Sequence, residues 1–122
     1  MNLIATILTV LVGIEHLGIM GLEMFASPRT QAQSFDLDAE FTRQAPVRVL
    51  LANQGIYNGM LGLSLIASCF LFAGSTRLAV QLMLLVFVVV VALFGGWTAT
   101  KKIWLLQLLP ALLASVAVAL AI

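Results

Sequence analysis

The chain has 122 residues, of which 62% are hydrophobic and 9% are charged, and its formal net charge is +1. A soluble domain is about half apolar and about a quarter charged, and so small a core could not hide this much apolar surface from water. The composition therefore excludes an ordinary soluble domain and predicts a single integral membrane domain over residues 1–122. The low net charge also argues against nucleic acid as a partner.

Four apolar stretches are long enough to cross a bilayer as helices, which takes about 20 residues each. They cover residues 3–25, 47–73, 78–98 and 103–122. The third, with its LMLLVFVVVVALF run, would suit a strand in water, but lipid favours a helix because an open strand leaves backbone groups unpaired. Because the second and third links are short, we expect an all-α, up-down transmembrane bundle of four helices.

The link over residues 27–46 is longer than the others and carries most of the charge. Ser-Pro at its start and Ala-Pro at its end are helix-breaking signals. Its SFDLDAEFTRQ segment alternates apolar and acidic residues, which predicts a short helix at the membrane surface, capped by Asp36 or Asp38. An ordered polar loop is the alternative interpretation of this segment.

The basic residues predict the orientation of the spans in the membrane. Those that flank the first and third links are Arg29, Arg43, Arg48, Lys101 and Lys102, whereas Arg77 alone lies on the other side. Since lysine and arginine concentrate in cytoplasmic loops, we expect both termini to face away from the cytoplasm. The only cysteine, Cys69, lies in an apolar run, so an internal disulfide is excluded.

The first span contains three ionisable residues, Glu15, His16 and Glu23, which share one helical face at about 100° per residue. A charged group at mid-bilayer costs roughly 2.5–3.5 kcal/mol on insertion scales, so the cluster calls for a functional reason. Such groups can bind a ligand, relay protons or do acid–base work. The alternative is that they only hold helices together, and Glu23 could instead pair with Arg48 or Arg29 at the loop end.

The second span carries a matching set of residues in LLANQGIYNGMLGLSL, which divides into two opposite helical faces. The hydrogen-bonding face comprises Asn53, Gln54, Tyr57, Asn58 and Ser64. The glycine face comprises Gly55, Gly59 and Gly62. A face of small residues suits close packing between membrane helices.

Antiparallel pairing of the first two spans from the loop end brings Glu15 level with Asn58 and His16 level with Tyr57. The two polar faces are therefore predicted to meet near mid-membrane in one polar pocket. In the fourth span, Pro110 is expected to kink the helix and open room in the bundle. The sequence offers no close pair of histidines or cysteines, so neither a metal nor another cofactor is expected.

Two strings in the sequence, EHLGIMGLEMF and LANQGIYNGMLG, resemble the signatures of the domain-of-unknown-function 1304 family of small bacterial four-span membrane proteins. QLLPALLA is similar to that family's final span. The resemblance implies the four-span fold and a place in the bacterial inner membrane, and it brings no settled activity. The family has an aromatic residue after Glu-His-Leu where this chain has Gly18, which implies a larger pocket beside His16.

Four functions are compatible with these features. The first, which demands least, is a mid-membrane pocket that binds a small lipophilic or amphipathic molecule through Glu15, His16, Tyr57 and Asn58. The second is a proton-coupled exporter, by analogy with short four-span multidrug transporters. The third is an intramembrane isomerase in which Glu15 and His16 shuttle a proton. The fourth is a structural subunit whose glycine face binds a second copy, as a homodimer, or another membrane protein. In all four, membrane lipid surrounds the chain.

Overall fold

The computed structural model describes residues 1–122, and all of its regular elements are helical, which confirms the all-α prediction. The three long helices are α1 (Leu3–Phe25), α4 (Ala45–Leu71) and α5 (Gly74–Thr98). Two short helices, α2 (Pro28–Phe35) and α3 (Ala39–Arg43), form the first link. The chain ends with a π-helical turn, Trp104–Leu108, which continues into α6 (Leu109–Ala119).

Helices α1, α4 and α5 are long and apolar enough to cross a membrane. The last apolar helix, Trp104–Ala119, is shorter than the span predicted for residues 103–122. At about 1.5 Å per residue it measures about 24 Å, less than the ~30 Å hydrocarbon core. Only 24 of the 122 residues are buried, and large apolar side chains are exposed along every long helix. Such a surface fits a membrane protein in contact with lipid.

The three long helices and α6 form a ring, in which α1 packs on α4, α4 on α5, α5 on α6, and α6 again on α1. An apolar core fills the space between them. It consists of Ala5, Val12, Leu65, Leu85, Val88, Ala111, Ala114 and Val118. The small alanine side chains let α6 approach its neighbours closely.

The closest approach between helices joins α1 to the glycine face of α4. A Cβ atom added to Gly62 would lie 2.5 Å from the carbonyl oxygen of Gly13, and one added to Gly59 would collide with the sulfur of Met20. Glycine is required at Gly62 because the α1 backbone leaves no room for a side chain, whereas at Gly59 it is the flexible Met20 side chain that fills the space. Since α1 of the same chain covers the glycine face, that face is not free to bind a second copy or another protein.

This packing overturns the predicted meeting of two polar faces. The glycine face of α4, not its hydrogen-bonding face, lies against α1, and the helices are shifted by more than one turn from the predicted register. Asn58 consequently lies beside Glu23 rather than level with Glu15. The predicted register paired the two helices from the loop end of each span. It was wrong because α4 begins at Ala45 and its first turns run past the end of α1, where they contact α3.

The first link folds into two short helices where one was predicted. The Ser27 hydroxyl accepts a hydrogen bond from the backbone N–H of Thr30 and caps α2. Asp38 caps α3 as predicted, its Oδ1 accepting from the backbone N–H of Glu40 at 2.9 Å. Asp36 instead ends α2 in the left-handed region, with φ of 54°. Its short polar side chain makes aspartate one of the few residues that adopt this conformation.

Gln31 joins the first link to the end of α1. Its buried amide donates to the carbonyl oxygen of Leu22 at 3.0 Å and to that of Glu23 at 3.1 Å. Both carbonyl groups belong to the last turn of α1 and have no partner within the helix. Arg48 donates to Gln31 Oε1 at 3.2 Å and to the carbonyl oxygen of Ala26 at 3.4 Å. The alternative in which Glu23 forms an ion pair with Arg48 is therefore wrong, because the guanidinium of Arg48 caps the end of α1.

Replacing Gly62 tests the contact between α1 and α4. Gly62→Ala should destabilise the protein by about 1–3 kcal/mol, the usual range for overpacking, because the new methyl group presses on the α1 backbone. Gly21→Ala is the matched control, since a Cβ there meets nothing within 4 Å. Alanine at that position should leave stability unchanged or raise it by up to about 1 kcal/mol. Equal thermal midpoints of the two variants in detergent would contradict the packing.

Candidate functional site

Glu15 and His16 are neighbours in α1 but line two different cavities. The buried face of α1 includes His16, which is 2% exposed, and Glu23, which is 3% exposed. Glu15 is half-buried at the edge of that face, toward α6. The structure thus contains a Glu15 cavity and a His16 cavity where one pocket was predicted.

The Glu15 cavity has a volume of about 710 Å³ and lies between α1, α2 and the segment that leads into α6. The lining residues from α1 are Glu15, Gly18, Ile19 and Leu22, and those from α2 are Ser34 and Phe35. The segment that leads into α6, with the start of α6 itself, supplies Thr100, Lys102, Ile103, Leu105, Leu106, Gln107 and Pro110. Glu15 and Gln107 supply polar groups at the deep end. Lys102 and Thr100 supply them at the end near the first link, and aliphatic side chains form the wall between.

The carboxyl group of Glu15 is incompletely hydrogen-bonded. Its Oε1 is the only buried side-chain oxygen or nitrogen in the structure that has no hydrogen-bond partner. An unsatisfied buried polar group costs about 1–3 kcal/mol, so such groups are rare in native proteins. A Cβ at Gly18 would meet nothing within 4 Å, which leaves the wall beside Glu15 open. Gly18 therefore enlarges the Glu15 cavity and not, as expected, a pocket beside His16.

Asp36 binds two of the residues that line the Glu15 cavity near the first link, Thr100 and Lys102. Its carboxyl accepts hydrogen bonds from Lys102 Nζ at 2.8 Å and from the Thr100 hydroxyl at 2.6 Å, and Lys102 also donates to the carbonyl oxygen of Gln33. The bond from Lys102, followed by that from Thr100, lowers the pKa of Asp36 below its ordinary value. Lys102, one of the basic residues that flank the third link, thus joins α2 to the segment before α6.

The π-helical turn places Gln107 in the walls of both cavities. The backbone N–H of Leu109 donates to the carbonyl oxygen of Trp104, five residues earlier, and Pro110 follows without an N–H of its own. The predicted disturbance at Pro110 therefore takes the form of a π turn, a feature common at functional sites. Gln107 is not among the residues predicted for the site, although a polar residue shortly before a proline in an apolar helix is a usable signal.

The His16 cavity has a volume of about 490 Å³ and lies between α1, α4, α5 and the π turn. Its lining residues are His16, Gln54, Tyr57, Asn58, Met60, Leu61, Ser64, Phe87, Val88, Val91 and Gln107. The Nδ1 atom of His16 lies 2.9 Å from the carbonyl oxygen of Val12. Because a carbonyl oxygen only accepts hydrogen bonds, Nδ1 must carry the proton.

The other residues predicted for the site are dispersed. Asn53 lines neither cavity, and its amide donates to a carbonyl of its own helix. Gln54 and Tyr57 are exposed, the latter by 78%, and form the outer wall of the His16 cavity. Asn58 Nδ2 donates to Glu23 Oε1 at 2.6 Å and thereby joins α4 to α1. No group of three His, Cys, Asp or Glu side chains is arranged to hold a metal ion.

Comparison with known proteins bears on the identity of the chain. The sequence matches the family described as "Protein of unknown function (DUF1304)" over residues 10–119. It is 41% identical over 108 residues to "Uncharacterized protein YpaA" of Lactococcus lactis subsp. lactis (strain IL1403), which covers 88% of this chain and 89% of that relative. No solved structure matches it. The chain is thus a member of the DUF1304 family.

Proposed function

We propose that the protein binds a small amphipathic molecule within the membrane and that the Glu15 cavity is the binding site. The observation that carries this proposal is the unpartnered Oε1 of Glu15, a residue that lines a cavity of about 710 Å³. Small-molecule sites usually measure about 300–1,000 Å³ and combine apolar walls with a few polar groups. The cavity has both properties.

The lining favours a ligand with an amine at one end and an apolar body. An amine supplies the hydrogen-bond donors that the Glu15 carboxyl lacks, and the amide oxygen of Gln107 can accept a further N–H. The apolar body would rest against Ile19, Leu22 and Leu106. Burial of that body stabilises the complex by about 25 cal/mol per Å² of apolar surface, before the loss of ligand freedom is counted.

A proton-coupled exporter is the second candidate function. Gln107 belongs to the walls of both cavities, so a shift of the π turn to regular helix would move the group that separates them. Joined cavities would form a path across the bundle, with Glu15 as carrier of ligand or proton. Substrate flux into vesicles that follows a proton gradient distinguishes transport from binding alone.

We further propose that the chain lies in the bacterial inner membrane as a four-span, up-down bundle with both termini away from the cytoplasm. The distribution of the basic residues supports this orientation. The contacts of α6 with α1 and α5 support a fourth crossing by the short last helix. A bilayer can thin locally around a helix that is several ångströms too short.

Reporter proteins fused to each terminus test this topology. An alkaline phosphatase that is active only outside the cytoplasm should be active at the C-terminus. A fluorescent protein that folds only in the cytoplasm should be dark at both termini. Termini on opposite sides would mean an odd number of crossings and would contradict the four-span bundle.

Filling the Glu15 cavity tests the proposed binding site. Gly18→Leu should weaken binding of a long-chain alkylamine to the protein in lipid nanodiscs by at least about tenfold, or about 1.4 kcal/mol. A Cβ at residue 18 meets no protein atom within 4 Å, so the leucine side chain would extend from the cavity wall into the open space beside Glu15. Binding is measured by equilibrium dialysis with a radiolabelled amine, and empty nanodiscs correct for partition into lipid.

Gly21→Leu is the matched control, because residue 21 also faces open space in α1 but lines neither cavity. The Gly21→Leu variant should bind the amine as tightly as the wild type does. An alkane of equal length should bind more weakly than the amine to the wild type and to Gly21→Leu. Equal amine binding by the wild type and by Gly18→Leu would contradict the proposed binding site.

A further inference from the structure

We infer that the His16 cavity is a second ligand site, separate from the Glu15 cavity, and that it takes a neutral lipophilic molecule with a hydroxyl group. The inference rests on the hydrogen bonding of His16, on the absence of charge in the cavity wall and on the side from which the cavity is open. It holds whether or not the Glu15 cavity binds an amine.

The imidazole of His16 is buried with one nitrogen satisfied and the other free. Nδ1 donates to the carbonyl oxygen of Val12, which fixes the ring and assigns the lone pair of a neutral imidazole to Nε2. Nε2 has no partner within the protein, although the residue is only 2% exposed. Nε2 is thus a free acceptor on a residue that lines the cavity, and a donor group on an occupant can satisfy it.

The wall around His16 selects an uncharged occupant. It contains no Asp, Glu, Lys or Arg, so an ionic group would enter an apolar environment without a counter-charge. Its polar groups include the amides of Gln54, Asn58 and Gln107 and the hydroxyl of Ser64. A ligand hydroxyl suits this wall, because it can donate to Nε2 and accept from an amide N–H at the same time.

The cavity is open toward the lipid-facing surface. Tyr57, Met60, Phe87 and Val91 form its outer wall, and all four are exposed on the outside of the helices. A ligand can therefore enter sideways from the bilayer, where lipophilic molecules concentrate. Leu61 and Val88 provide the apolar floor on which the body of such a molecule would pack.

The test uses the fact that His16 is the only histidine in the chain. Two-bond 1H–15N spectra of the imidazole, recorded in nanodiscs, should show one tautomer, with the proton on Nδ1. Addition of 4-pentylphenol should move the Nε2 resonance as this nitrogen accepts a hydrogen bond. The methyl ether, 4-pentylanisole, has the same apolar body without the donor and should leave Nε2 unmoved.

Variants separate the His16 cavity from the Glu15 cavity and from nonspecific effects. Val91→Trp should block the outer wall and abolish the response to phenol, whereas Val86→Trp, exposed on the same helix but outside the cavity, should retain it. Glu15→Gln should also retain it. A proton on Nε2 in the free protein, equal responses to phenol and ether, or loss of the response in Glu15→Gln would overturn the inference.

Discussion

The contact between α1 and the glycine face of α4 determines where every polar group of the site lies. With only 2.5 Å between the Gly13 carbonyl oxygen and the position of a Cβ at Gly62, no other face of α4 could replace this one. Once the glycines face α1, only Asn58 on the hydrogen-bonding face of α4 reaches α1, whereas Gln54 and Tyr57 turn toward α5 and the lipid. Glu15 is left on the opposite side of α1, where α6 and the π turn form its surroundings.

The polar residues within the helices fall into two groups according to whether their hydrogen bonds are made inside the chain. Glu23 with Asn58 and Gln31 with Arg48 satisfy one another, and each pair joins separate helices. This is the behaviour of polar groups that hold a helical membrane protein together. Glu15 Oε1 and the Nε2 atom of His16 have no such partner, and both residues line cavities. Stabilisation therefore explains the first group but not the second.

Hydropathy and local signals predicted the three long helices and the Asp38 cap because those features depend on short stretches of sequence. The rotation of one helix against another depends on which faces fit, and a helical wheel describes each helix only by itself. Asn58 was therefore assigned to Glu15, although the glycines already indicated the packing face. The π turn was also missed, since it depends on one backbone hydrogen bond that hydropathy does not report. Gln107 consequently entered the site only with the structure.

The central claim is that Glu15 destabilises the folded protein and serves ligand binding, and the thermal stability of Glu15→Gln tests it most directly. Glutamine keeps the shape of the side chain but cannot ionise, so the variant should unfold at a higher temperature than the wild type, in detergent without ligand. Glu23→Gln is the matched control, because residue 23 accepts a hydrogen bond from Asn58, and its midpoint should be unchanged or lower. A clearly lower midpoint for Glu15→Gln would mean that this carboxyl holds the helices together, and would contradict the proposed binding site.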